Sequence, residues 1–120
     1  MRIWLDDQTE FDAKNRKIPE GFDLQWFSSD EAIRGMTELG CPDFIDFDHD
    51  LGGDDNAMKI VNWMINRDID RRMDFDPDDP FIPWNFDFNV HSANPIGADN
   101  IRLKLGQYLE QRNYNANRGG

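Results

Sequence analysis

Three short runs hold most of the residues in this sequence that could do chemistry: Asp6-Asp7, Asp48-His49-Asp50 and His91-Ser92-Ala93-Asn94. His49 and His91 are the only histidines in the chain. Carboxylates gathered at one place repel, and a bound cation is the natural way to keep several ionised together. Oxygen ligands favour Mg²⁺, Mn²⁺ or Ca²⁺, and an imidazole in the set moves the preference toward a transition metal. Imidazoles titrate near neutrality, so the same groups could also move protons as general acid and base. Each run also has a plainer reading. Asp6-Asp7 could end a strand in a turn, and Asp50 could shape the turn at Gly52-Gly53. Ser92 and Asn94 could do no more than cap a helix, and His91 alone would be a structural histidine. Asp46 lies inside its strand, two residues before Asp48, and is not counted in the set.

Placement joins the three runs, because each follows a short apolar segment. Arg2–Leu5 reads as a buried strand ending in acids. Residues 8–21 are polar, contain Pro19 and Gly21, and read as a loop with at most one helical turn. Phe22–Phe27 has the alternation and aromatic content of a second strand. Ser29 as a hydroxyl cap, with Asp30 and Glu31 in the first turn, opens a helix that Gly40 and Pro42 stop. Phe44–Asp48 is a third strand, and Ala57, Ile60, Val61 and Met64 mark one face of the next helix. Residues 66–85, with Asp74, Asp76, Asp78 and Asp79 around Pro77 and Pro80, read as an acidic loop insertion. Asn85–Val90 is a fourth strand. Asn94 caps the helix after it, whose stripe is Ile101, Leu105, Tyr108 and Leu109. Residues 1–112 thus read as one domain, followed by a frayed tail over 113–120.

Helical segments between short apolar strands predict an α/β fold with a parallel sheet. In such a sheet the C-terminal strand ends share one edge, where ligands bind. The three runs would meet there.

The chain has 120 residues, with 13 Lys and Arg against 24 Asp and Glu, for a net charge of −11. That excludes a basic groove built along a nucleic-acid duplex. The charge is uneven: residues 1–80 carry net −12 and residues 81–120 net +1. One cysteine, Cys41, excludes an intramolecular disulfide framework and a multi-cysteine zinc site. No apolar run approaches the roughly 18 residues of a membrane span, and the N-terminus turns acidic too early for a signal peptide. The expected setting is a reducing, cytoplasmic one.

Taken together, Arg2-Ile3-Trp4-Leu5-Asp6-Asp7, Asp48-His49-Asp50-Leu51-Gly52 and His91-Ser92-Ala93-Asn94-Pro95 resemble the cyclic-phosphate processing receiver-like family. That family is a divergent branch of the receiver domains of two-component response regulators. The resemblance covers roughly residues 1–110. It implies a flavodoxin-like, three-layer α/β sandwich of about four parallel strands, lacking the receiver's fifth strand and its lysine. By the same resemblance Asp6, Asp7 and Asp48 hold Mg²⁺, and Asp48 matches the receiver phosphoacceptor; Asp50 is counted with them as a candidate metal ligand, and Mn²⁺ beside Mg²⁺ as the ion. His49 and His91 are what the family adds, and Ser92 matches the hydroxyl after strand four.

The function so implied is hydrolysis or binding of a cyclic phosphate, either an RNA 2′,3′-cyclic phosphate end or a small cyclic nucleotide. Opening such a ring needs a base to activate water and an acid to protonate the departing oxygen. His49, flanked by Asp48 and Asp50, is expected as the acid and His91 as the base. Ser92 and Asn94, with the N–H groups of the following helix start, are expected to bind phosphate oxygens. Two rivals stand beside this reading. One is a non-catalytic receiver-like signalling module. The other is an acidic nucleic-acid mimic that binds a basic protein.

Overall fold

Apolar runs of three or four residues are too short to stand alone as strands, and they need neighbours on both sides to bury them. The computed structural model shows how they find them. It describes residues 1–7 and 18–119. The elements are β1 (Arg2–Leu5), β2 (Leu24–Trp26), α1 (Ser29–Leu39), β3 (Phe44–Phe47), α2 (Met58–Asp74), β4 (Asp87–Val90) and α3 (Pro95–Gly119). Most of the loop expected over 8–21, namely 8–17, lies outside the described residues.

The four strands form one parallel sheet in the order β2-β1-β3-β4. With three flanking helices this is the flavodoxin and receiver type of α/β fold. No fifth strand occurs among the described residues.

Register sorts the side chains by face, because paired residues on neighbouring strands point the same way. Ile3 lies opposite Ile45, Leu5 opposite Phe47, and Phe47 opposite Val90. These are the buried side chains that face the helices. A methyl group on Gly35 would strike the Trp26 ring, and one on Gly106 would touch Phe88, which places α1 and α3 over this face. Trp4 and Asp46 pair on the other face, where Asp46 also pairs with Asn89. Each fully buried Ile, Leu or Phe here contributes about 1.5–3 kcal/mol.

Three boundaries differ from the sequence reading. The cap of α1 is Ser28, not Ser29: the Ser28 hydroxyl accepts from the Glu31 N–H at 3.1 Å. Ser29 instead donates its N–H to Asp55 at 2.8 Å, tying α1 to the loop after β3. The acidic stretch begins as helix, since α2 continues to Asp74. The periodicity that Pro77 and Asp-rich composition obscured is carried by Met64, Ile65 and Asp68, all buried. Finally, α3 runs on to Gly119, so residues 113–119 of the expected tail are helical.

The rest of the acidic stretch is fastened from below. Asp68 of α2 is fully buried and accepts the Ile82 N–H at 2.9 Å. Arg112 of α3 reaches Asp68 at 3.2 Å and the Ile82 carbonyl at 2.7 Å. A buried charge pair with its remaining valences satisfied locks α2, α3 and the 75–86 connection together.

Candidate functional site

Parallel pairing continues one residue past three strands. The Asp6 N–H donates to the Trp26 carbonyl at 3.1 Å, Asp48 to Leu5 at 2.9 Å, and His91 to Phe47 at 2.8 Å. These three bonds extend the ladder and fix Asp6, Asp48 and His91 side by side at the C-terminal edge. One ligand atom from each lies within 4.8 Å of the others. Residues up to 85 positions apart in sequence thus form one Asp/Asp/His group able to chelate a metal.

His91 is the most constrained member. Its Nδ1 is 2.7 Å from an Asp46 oxygen and its Nε2 is 3.0 Å from an Asp6 oxygen. Both partners are carboxylates, the usual acceptors, so the geometry favours protons on both nitrogens and a cationic ring. Burial alone would lower its pKa, but the hydrogen bond and charge of Asp46, joined by those of Asp6, raise it above the ordinary histidine value. Trp4 stacks under the ring, with centroids 3.8 Å apart. Asn89 donates to the second Asp46 oxygen at 3.2 Å. Both nitrogens of the histidine expected as general base are thus engaged by carboxylates.

Asp48 shows the opposite strain. Burial, then the charges of Asp6 and Asp7, push its carboxyl up to about 6, while His91 pulls the other way. Repelling carboxylates with one shared imidazolium are short of positive charge. Asp6, Asp48 and His91 could together coordinate a metal ion, His91 once its Nε2 is free of a proton.

The remaining candidates sit around this group. Asp7 lies against the turn after β3, where a side chain on Gly52 would meet its carboxylate at 3.2 Å. Gly52 and Gly53 both have positive φ, 88° and 55°, which that turn requires. Asp50 is exposed and is not in the chelating group. It holds His49 instead, with Nδ1 to carboxylate at 2.8 Å. The His49 ring packs against Gly97 at the start of α3. Asn94 caps that helix, accepting the Gly97 N–H at 3.0 Å, and its amide lies 3.5 Å from Asp50. The Ser92 hydroxyl accepts the Asn94 N–H at 3.1 Å. Asp50 thus bridges His49 to the cap of α3.

Trp4, Asp46 and Asn89 are the site residues that sequence reading left out. The signal for Asp46 was present: a carboxylate inside the apolar run Phe44-Ile45-Asp46-Phe47 is costly unless it is paired. Its partner follows a different strand, and only the register shows that.

No helix among the described residues is long and apolar enough to cross a membrane. Comparison with curated proteins and with solved structures gave no significant match. The sequence profile of the cyclic-phosphate processing receiver domain, by contrast, matches residues 1–107. That span contains every group described above, from Asp6 at the end of β1 to the cap of α3. The chain belongs to the cyclic-phosphate processing receiver domain family.

Proposed function

We propose that the chain hydrolyses a small or terminal cyclic phosphate at this strand edge with the help of a divalent cation. The observation that carries the reading is the His91 imidazolium, held between Asp46 and Asp6 and within 4.8 Å of Asp48. A clamped cationic acid beside a chelating pair is what a developing negative charge on phosphate and on a leaving oxygen calls for.

The proposed roles reverse those expected from spacing. His91, protonated and stacked on Trp4, is the acid that gives its Nε2 proton to the departing ribose oxygen. His49 is the base. Donating Nδ1–H to Asp50 leaves its Nε2 lone pair for an attacking water, the orienting logic of a carboxylate–histidine pair. The start of α3 lies beside His49, and the positive end of its dipole would favour phosphate oxygens there. Asp6 and Asp48 would hold Mg²⁺ or Mn²⁺, with Asp7 adding charge from the next position. When bound, the cation supplies charge compensation for the phosphate and lowers the pKa of a bound water. A net charge of −11 repels long polyanions, so the substrate is a mononucleotide or an RNA end and not an internal stretch.

The test is a panel of 2′,3′- and 3′,5′-cyclic phosphates incubated with and without Mg²⁺ or Mn²⁺, with products identified by phosphorus NMR. Turnover should fall by roughly 10²–10⁴-fold in His49→Ala and in His91→Gln. The double variant should be little worse than the worse single. No turnover on any member of the panel, together with stable labelling of Asp48 by a small phosphodonor, would replace this reading with the signalling one.

A further inference from the structure

The far pole of the molecule carries a second feature, independent of the strand edge. Helices α1 and α2 each run back from the C-terminal edge of the sheet, so their own C-termini lie at its N-terminal edge. Between them and the 75–81 connection lies a cavity of about 670 Å³. Met36 and Phe81, both buried, line it from the core side, and Phe75 lines its mouth at 85 % exposure. A large apolar side chain left to solvent over a buried apolar floor is the mark of a contact surface.

Charge decides what kind of contact. Asp70, Asp74, Asp76, Asp78 and Asp79 are all exposed, and residues 70–79 carry net −3. The cations nearby are engaged: Arg71 is paired with Asp79 at 2.7 Å, and Arg67 lies over the Trp63 and Phe81 rings. An anionic lipid surface or a nucleic acid would be repelled from this rim. A second copy of the chain would bring a second set of five aspartates against the first. The occupant that the rim attracts is cationic, and the occupant that the cavity rewards is apolar.

We propose that this cavity docks an amphipathic, Lys/Arg-rich segment of a partner protein, with apolar anchors seated against Phe75, Phe81 and Met36 and cationic side chains facing the aspartates. The mode is the helix-in-groove type, in which anchors supply affinity and the charged rim supplies encounter rate and selectivity.

Fluorescence polarisation tests this with a fluorescein-labelled, 18-residue helical peptide carrying Leu and Trp on one face and Lys on the other. The counterpart has Glu in place of every Lys. The Lys peptide should bind the intact protein at least about tenfold more tightly than the Glu peptide. Phe75→Ser should weaken it about tenfold or more, as loss of a central anchor does. The Phe75 side chain is 85 % exposed, so circular dichroism and melting of that variant should match the parent. Asp76→Asn with Asp78→Asn should weaken binding too, whereas Asp99→Asn with Glu110→Gln, on α3, should leave it within about twofold. Equal loss from both aspartate and control variants would mean diffuse attraction and overturn the proposal. So would binding that ignores Phe75, or none at all. Self-association of the parent, removed by the Phe75 change, would assign the surface to a second copy instead.

Discussion

The Trp4 indole lies flat against the His91 imidazole, with ring planes 7° apart and centroids 3.8 Å apart. Trp4 is also paired in register with Asp46, whose carboxylate takes the His91 Nδ1 proton. One position on β1 and its neighbour on β3 therefore set the plane, the charge and the direction of a ring that follows β4. The electron-rich face of an indole favours a cation over a neutral ring. Trp4 and Asp46 thus act in the same sense.

That arrangement predicts a direction for the titration of His91. By NMR its ring should titrate above the ordinary 6.5, and Asp46→Asn should bring it down. A histidine with a raised folded pKa contributes stability that is full below the unfolded value and is lost as pH rises through the folded one. Asp48 acts with the same sign at lower pH: its carboxyl sits near 6 when folded, so its contribution fades between about pH 4 and 6. The metal-free protein should melt at a higher temperature near pH 5 than near pH 8. Asp48→Asn should flatten the slope between pH 4 and 6, and Asp46→Asn the slope above 6.5. A parent melting temperature that rises steadily from pH 5 to 8 would contradict the imidazolium assignment.

Metal and proton should compete at Asp48. Millimolar Mg²⁺ or Mn²⁺ should raise the melting temperature at pH 7.5, by about 2.7 kcal/mol of stability when the free ion is a hundredfold above its Kd. The gain should shrink as pH falls through about 6, where Asp48 takes up its proton. Asp48→Asn should remove most of it. If neither ion moves the melting temperature of the parent at any pH, the strand edge is not a metal site.

Gly97 should be intolerant of any side chain. A methyl group there would lie 2.4–2.7 Å from the His49 ring, at atoms close to the backbone attachment that cannot swing aside cheaply. Gly97→Ala should cost about 1–3 kcal/mol, as overpacking does. It should also break the His49–Asp50 contact, visible as a shift of the His49 ring resonances. Turnover should fall in the same variant even though no reacting group has been removed. Unchanged stability and unchanged His49 resonances would show that the ring packs elsewhere.

The parts of the fold read directly from sequence are those with a local cause. Four short apolar strands, acids after the first and third of them, a Gly-Pro stop after α1, and Asn94 as a helix cap all announce themselves within a few residues, and the structure has each of them. Asp6, Asp48 and His91 could be brought together on paper because a parallel sheet puts its strand ends on one edge. What could not be read was pairwise. Which histidine meets which carboxylate depends on register between β1, β3 and β4, and a one-residue slip would turn Asp46 away from His91. The acidic stretch misled for a related reason. Asp68 looks like one more surface acid, yet it is the buried partner of Arg112, 44 residues away.

The bond between Asp6 and His91 spans 85 positions of the chain. Closing so long a loop is entropically expensive and depends on every strand between being seated. Until β4 docks, Asp6, Asp46 and Asp48 face one another without their counter-charge, on strands that are already neighbours. A partly folded chain with only β1, β2 and β3 paired would carry unrelieved repulsion at its edge, which arrival of the final strand would relieve. The same ring that is proposed to work on phosphate would then be the keystone by which the sheet recognises that it is complete.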